Sequence, residues 1–259
     1  MITRLRVGED LVAGRLGNKL FQIAACIGVA EANNDSIVLQ PWKFQEHFPN
    51  IPVSEKIDPE IFTTYKEPYF NYAPIPYTTN MTLDGYFQSQ RYFEHCIPAV
   101  RRYFTPSKMV GAYVREVMAE IHNIYAGRRI TVIQVRRDDY LTSNGYHTVQ
   151  PVEYYQQAMD ILDKDTDLYL LFCDKTAIDW CKDHFSSKQL LVAPQDHSVG
   201  DLFVMAQATN YIISTSTFGW WGAWLNPNEH KTVIAPRAWF GEIAKLNDAD
   251  IIPSQWMRI

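Results

Sequence analysis

Four segments of the chain hold residue types that suit a phosphorylated ligand. Gly14-Arg15-Leu16-Gly17-Asn18-Lys19 leads from a short apolar stretch into an apolar helical pattern. Arg15 and Asn18 are therefore a donor pair at the mouth of a helix, where free backbone amides favour an anion and Gly17 lets a ligand come close; a plain tight turn is the competing reading. Gln134-Val135-Arg136-Arg137-Asp138-Asp139-Tyr140 follows a β-rich run. Two adjacent guanidiniums at a strand end suit a diphosphate, because each presents a planar fork of donors. Adjacent residues there need not face the same way, so one of the two arginines is expected to reach the phosphates; the alternative is an Arg/Asp cluster pairing with itself. Asp174 closes another apolar run. Its carboxylate would accept from two N–H groups on one guanine edge, or cap the helix that follows. Ser214-Thr215-Ser216-Thr217-Phe218 puts four hydroxyls where a strand turns into a helix, a phosphate cradle that needs no metal. His147, in the loop 145–148, reads as a base, an acceptor contact or a satisfied structural histidine.

Other chemistries lack their residues. There is no G-x-G-x-x-G, no P-loop, no D-x-D at a strand end, no Ser/His/Asp spacing and no His/Glu metal motif. The four cysteines (Cys26, Cys96, Cys173 and Cys181) have no metal-ligand spacing, and read as buried free thiols in a reducing compartment. A net charge of −5 and a pI near 5.8 argue against binding duplex nucleic acid, which calls for a basic footprint. No apolar run is long enough to span a membrane, and Glu9 and Asp10 interrupt any signal-like segment. A soluble cytoplasmic protein is expected, with a visit to a membrane surface still compatible and the oligomeric state unspecified.

The elements that must position these residues are clearest in the second half. Short apolar runs at 131–135, 168–172, 190–192, 211–213 and 232–234 alternate with helical patterns at 151–162, 176–185, 201–208 and 217–225. Strands that are apolar on both faces, set between helices, imply a parallel sheet covered on both sides, a doubly wound α/β domain. The tryptophans of 220–224 read as core. In the first half, a helix at 17–31 follows a short run at 11–13, with strands expected at 37–39 and 83–87 and helices at 98–104 and 109–124. Residues 41–80 are rich in proline and aromatics and show no period. At 259 residues both one and two domains fit. Phosphate-suited residues in both halves favour two, 1–127 and 128–259, with the last residues free to pack back on the first.

Taken together, the segments resemble the α-1,2-fucosyltransferases of glycosyltransferase family 11. The resemblance rests on Gly14-Arg15-Leu16-Gly17-Asn18-Lys19-Leu20-Phe21-Gln22, Gly85-Tyr86-Phe87-Gln88-Ser89-Gln90-Arg91-Tyr92-Phe93, the segment 134–140, Tyr154-Tyr155-Gln156-Gln157-Ala158, and Ser214 to Leu225. It spans residues 11 to about 240. It implies an α/β fold of the GT-B type, two Rossmann-like domains facing across a cleft. The first domain would shape the acceptor side and the second would bind GDP-fucose. The implied reaction is inverting and metal-free, from GDP-β-L-fucose to the 2-hydroxyl of a galactose-terminated glycan. Arg136 would stabilise the leaving diphosphate, Arg15, Gly17 and Asn18 would approach the donor from the first domain, and Asp139 is the candidate base. Gln134, Arg137, Asp174, Ser214, Ser216, Thr217 and Phe218 would complete the donor site, and Tyr86, Gln88 and His147 the acceptor side. Two positions depart from the family pattern: Gln134 replaces its histidine and Asp138 its glycine. They keep open a non-catalytic protein that binds a GDP-sugar or glycan; the same fold with another regiochemistry (α-1,6 or protein O-linked) is the other alternative.

Overall fold

A computed structural model of the chain describes residues 1–3, 15–125, 128–185, 189–194 and 197–259. Gly14 and the strand expected at 11–13 lie outside these residues. The chain divides into two compact units, Met1–Met109 with Asn247–Pro253, and Val110–Leu246 with Ser254–Ile259. The division thus falls before the turn at 125–128 where the sequence suggests it. The reason is the helix ahead of that turn, most of which packs within the second unit: the Tyr113 hydroxyl donates to Asp201 Oδ1 at 2.7 Å. In the first unit, Asp250 ties residues 247–253 in place by accepting from the Tyr72 N–H at 3.0 Å.

Among its described residues the first unit contains a parallel three-stranded sheet and two α-helices: β1 (Ile2–Thr3), α1 (Leu16–Ala32), β2 (Thr63–Lys66), β3 (Met81–Asp84) and α2 (Ile97–Tyr103), with strand order β1-β3-β2. From Leu20 to Ala30 every residue of α1 is buried, the expected state of a helix that is apolar on all sides. Three of the four residues of β2 are exposed, so its Thr-Thr-Tyr-Lys sequence carries no hydrophobic period and the strand is hidden in the irregular stretch. The strand expected at 37–39 is reduced to single bridges, Ile37 with Ile2 and Leu39 with Val53. The strand expected at 83–87 ends at Asp84, where the chain turns and Phe87 takes φ 51°.

The second unit is doubly wound. Its elements are α3 (Lys108–Ile124), β4 (Ile130–Val135), α4 (Asp138–Leu141), α5 (Val152–Leu162), β5 (Leu168–Cys173), α6 (Ile178–Phe185), β6 (Leu190–Val192), α7 (Ser198–Met205), β7 (Asn210–Ile212), α8 (Thr217–Leu225), β8 (Val233–Ala235) and β9 (Met257–Arg258). Six parallel strands run in the order β6-β5-β4-β7-β8-β9. On one face Ile133, Val135, Leu171, Ile212 and Ile234 pack against α5 and α6. Trp220, Trp221 and Trp224 of α8 are buried, with the Trp256 ring 5.3 Å from that of Trp220, so these indoles are core. Helix α7 starts earlier than expected because His197 Nδ1 caps it, accepting from the Gly200 N–H at 2.9 Å. The two-residue β9 has no signal of its own in the sequence. The cysteines among the described residues are free and buried. No helix among the described residues is long and apolar enough to cross a membrane.

Candidate active site

The strand order of the second unit sets where a ligand belongs. The chain builds β4, β5 and β6 outward in one direction, then returns to lay β7, β8 and β9 on the other side of β4. Between β4 and β7 the connections diverge and leave a crevice beyond the carboxyl ends of the strands, the usual ligand position in an open parallel sheet. Arg136 follows the last residue of β4, and the hydroxyl run 214–217 follows β7, so these two sequence candidates lie at one switch point.

Arg136 is held from two sides. One guanidinium nitrogen pairs with Asp174 Oδ1 and another with Asp139 Oδ1 at 2.5 Å, and the group lies over the Tyr140 ring, 5.6 Å from its centre. Asp174 also closes the loop after β4: its Oδ2 accepts from the Arg137 N–H at 2.8 Å and the Asp138 N–H at 3.0 Å. Its side chain is only 7% exposed. Asp174 does not cap the turn that follows it, and beside the guanine-acceptor role expected for it the structure adds a third, the orientation of Arg136 and its loop. Both oxygens are committed to Arg136 and its loop, and no side-chain bond caps the turn that follows. The partners lie 36 to 38 residues away in sequence, beyond the reach of any local motif.

The two arginines diverge. The Arg137 guanidinium lies 4.0 Å from the centre of the Trp180 ring, which stacks in turn on His184. Arg137, expected among the donor contacts, thus ties its loop to α6. Asp138 is exposed.

Gln134 and Ser214 are buried rather than presented to a ligand. Gln134 Oε1 accepts from the Ser214 hydroxyl at 2.5 Å and its N–H at 3.2 Å, stitching the end of β4 to the chain after β7. A Cβ at Gly219 would stand 2.8 Å from that oxygen, so glycine is what lets α8 start this close to the sheet. Both residues, expected among the donor contacts, are joined to each other at the base of the switch point. Ser216, Thr217 and Phe218 are partly exposed at the start of α8, where Ser216 makes no side-chain cap. Tyr140 donates to the Thr215 carbonyl at 2.9 Å, and burial pushes its hydroxyl up to about 12. His147 stacks flat on Tyr140 at 4.3 Å and pairs across with Phe240. Burial, opposed by the Asp139 carboxylate, lowers its pKa. These contacts favour the structural reading of His147.

The first unit has its own cluster of expected residues. Arg15 is exposed, Gly17 is buried and Asn18 is half-buried at the start of α1. Gln88, buried, donates through Nε2 to Asn18 Oδ1 at 3.0 Å, and Gln22, one turn further along α1, donates to the Gly85 carbonyl at 2.9 Å. Gln88 thus anchors its loop to the helix, while Tyr86 is 42% exposed. Among the described residues no three His, Cys, Asp or Glu side chains converge.

The family model for glycosyl transferase family 11 matches residues 43–259. The chain belongs to glycosyltransferase family 11. Relatives of this family-11 chain include the O-antigen biosynthesis glycosyltransferase WbnK of Escherichia coli, 30% identical over 138 residues (50% of this chain, 44% of that protein). An alpha-1,2-colitosyltransferase of Escherichia coli is 28% identical over 183 residues (68% and 61%). The human galactoside alpha-(1,2)-fucosyltransferase 1 is 24% identical over 234 residues (82% and 63%). The chain spans less than two thirds of the length of each of these relatives. Among solved structures, the fucosyltransferase NodZ from Bradyrhizobium superposes with a TM-score of 0.54 at 15% identity, covering 87% of this chain and 93% of that one. POFUT1 in complex with GDP-fucose gives a TM-score of 0.58 at 10% identity, covering 90% and 97%. At such identities the likeness is one of fold, and the fold is GT-B.

Proposed function

We propose that this chain is an inverting, metal-independent fucosyltransferase that moves L-fucose from GDP-β-L-fucose to the 2-hydroxyl of a terminal galactose. The observation that carries the reading is the placement of Arg136 and the helix start 216–218 after the adjacent strands β4 and β7, at the switch point of the second unit. As the bond from the sugar C1 to the β-phosphate oxygen breaks, its electron pair stays on GDP and negative charge grows on the diphosphate. A guanidinium already oriented by Asp174 and Asp139 meets that charge without having to reorganise. Ser216, Thr217 and the amides of α8 hold the phosphates, and Phe218 lies against the nucleoside. The acceptor oxygen adds to C1 from the opposite face. Its proton passes to water, since an oxocarbenium-like step asks little of a base and Asp139 is engaged by Arg136. Arg15, Gly17 and Asn18 are kept as substrate contacts of the first unit, with Tyr86 as its acceptor-side residue. The relatives that transfer colitose and fucose in α-1,2 linkage support the regiochemistry, and the structure of POFUT1 with GDP-fucose supports the donor. A colitosyl donor is the second reading, favoured by the first of those relatives.

The test is to incubate the protein with GDP-fucose, lactose and EDTA, follow GDP release and determine the product linkage by NMR. GDP release with an α-1,2-fucoside as product is expected. GDP binding without turnover would favour a binding protein, and an α-1,6 product would overturn the regiochemistry. Activity lost to EDTA and restored by Mn²⁺ would overturn metal independence. Faster turnover of GDP-colitose would favour the second reading.

A further inference from the structure

The turn at 85–88 in the first unit is held more firmly than a surface loop needs to be. Glu67, the residue after β2, reaches across the end of β3: its Oε2 accepts from the Tyr86 N–H at 2.7 Å and its Oε1 from the Phe87 N–H at 2.9 Å. A Cβ at Gly85 would stand 2.4 Å from the Glu67 Cβ, so this clamp requires glycine there. Gln22 and Gln88 fasten the two ends of the turn to α1. Phe87 is a bulky residue at φ 51°, a left-handed conformation that persists only where its surroundings enforce it. The Phe87 ring is fully buried against Tyr92, at 5.3 Å, and Tyr65, at 6.4 Å. What this rigid turn shows to solvent is the Tyr86 side chain. A tyrosine ring held in water on a fixed turn suits the apolar face of a neutral hexopyranoside. It gives large contact area at little cost in conformational entropy.

We propose that Glu67 is a positioning residue for acceptor-sugar recognition, locking the turn 85–88 so that Tyr86 is presented to a terminal neutral hexopyranoside. This rests on the transferase reading above and adds the element that binds the acceptor. The lock depends on the ionised carboxylate, because a protonated one turns a hydroxyl toward one of the two N–H groups and loses an acceptor. Burial raises the Glu67 pKa to about 7, against the two N–H groups that lower it. The ionisable groups facing it are Tyr65 from β2, Asp84 from the end of β3 and Tyr92 from the turn before α2. None is a cation at neutral pH, and Asp84 adds to the upward shift. The lock is therefore half formed at about pH 7, strengthens above it and loosens below it.

The experiment compares wild type with Glu67→Gln and Glu67→Ala. KM for lactose, KM for GDP-fucose and kcat are measured from pH 5.5 to 8.5, alongside hydrogen exchange of the peptide containing residues 84–89. Glu67→Ala is expected to raise the lactose KM about tenfold, the factor carried by one hydrogen bond to a charged group, to leave the GDP-fucose KM unchanged, and to lose amide protection in the peptide. Glu67→Gln, which keeps one acceptor oxygen, is expected to fall between and to abolish the rise in lactose KM that wild type shows below pH 7. An active wild type whose lactose KM is the same in all three proteins overturns the positioning role. So does protection of 84–89 that does not depend on residue 67. A wild type inactive with GDP-fucose overturns the transferase reading and with it the acceptor assignment, whereas the exchange data judge the lock separately.

Discussion

Asp174 in the second unit and Glu67 in the first each bind the N–H groups of two consecutive loop residues, but their electrostatic settings differ. Asp174 closes 137–138 and is paired with Arg136; Glu67 closes 86–87 with no cation among the described residues to pair with. Two N–H donors alone do not compensate a carboxylate for lost water, which is why Glu67 titrates at about 7. The guanidinium beside Asp174 changes what the clamp is for. There the carboxylate fixes a loop and also fixes the direction in which a positive charge points. The same backbone device thus serves electrostatics in one unit and shape in the other.

The comparison breaks first at Asp174. Asp174→Ala removes the orienting partner of Arg136 and frees two amides. Turnover should fall about 10²-fold, and urea unfolding should show a loss of about 3 kcal/mol, as expected when a buried pair loses one member. Asp174→Asn should land between. Full turnover with weakened GDP binding would favour the guanine-edge role for Asp174. A smaller effect separates the two arginines. Arg137→Ala removes a cation–π contact of about 0.5–1 kcal/mol with Trp180, so thermal stability should drop slightly and kcat stay within a few-fold; a collapse of kcat would mean that Arg137 is the working arginine. The smallest effect is the pH dependence from His147. Burial holds its pKa below histidine's usual 6.5, so the folded state binds fewer protons than the unfolded one. Its stabilisation is complete above about pH 6.5 and declines as the pH falls through the lowered value. His147→Phe, which keeps an aromatic ring against Tyr140, should flatten the acid side of a stability-against-pH curve. An unchanged curve would assign that limb to other groups.

Much of the second unit is legible in the sequence, because β4, β5, β7 and β8 are buried on both faces and read as unbroken apolar runs. The hydroxyl-to-helix junction at 214–217 is legible for a similar reason: apolar strand, polar turn and apolar helix follow each other without interruption. Strand β2 is an exposed edge and β9 is two residues long, so neither offers a period to read. The residues alone narrow the expected phosphate contact to one of two adjacent arginines, and the family resemblance points to Arg136. The hold of Asp174 on Arg136 and the stacking of Arg137 on Trp180 are contacts between segments far apart in the chain, with no local signal. Glu67 has no signal of its own, since its function lies wholly in the backbone amides of residues 86 and 87. The turn it clamps is visible as a motif; the clamp is not.

The account stands or falls on Arg136. The direct measurement is single-turnover transfer from GDP-fucose to lactose by wild type and Arg136→Ala, with GDP affinity measured on both proteins and circular dichroism to check the fold. A loss of roughly 10²–10³-fold in the transfer rate, with the fold intact and GDP affinity far less affected, is the predicted result. A transfer rate near that of wild type would contradict it, and would remove the switch-point guanidinium from the chemistry.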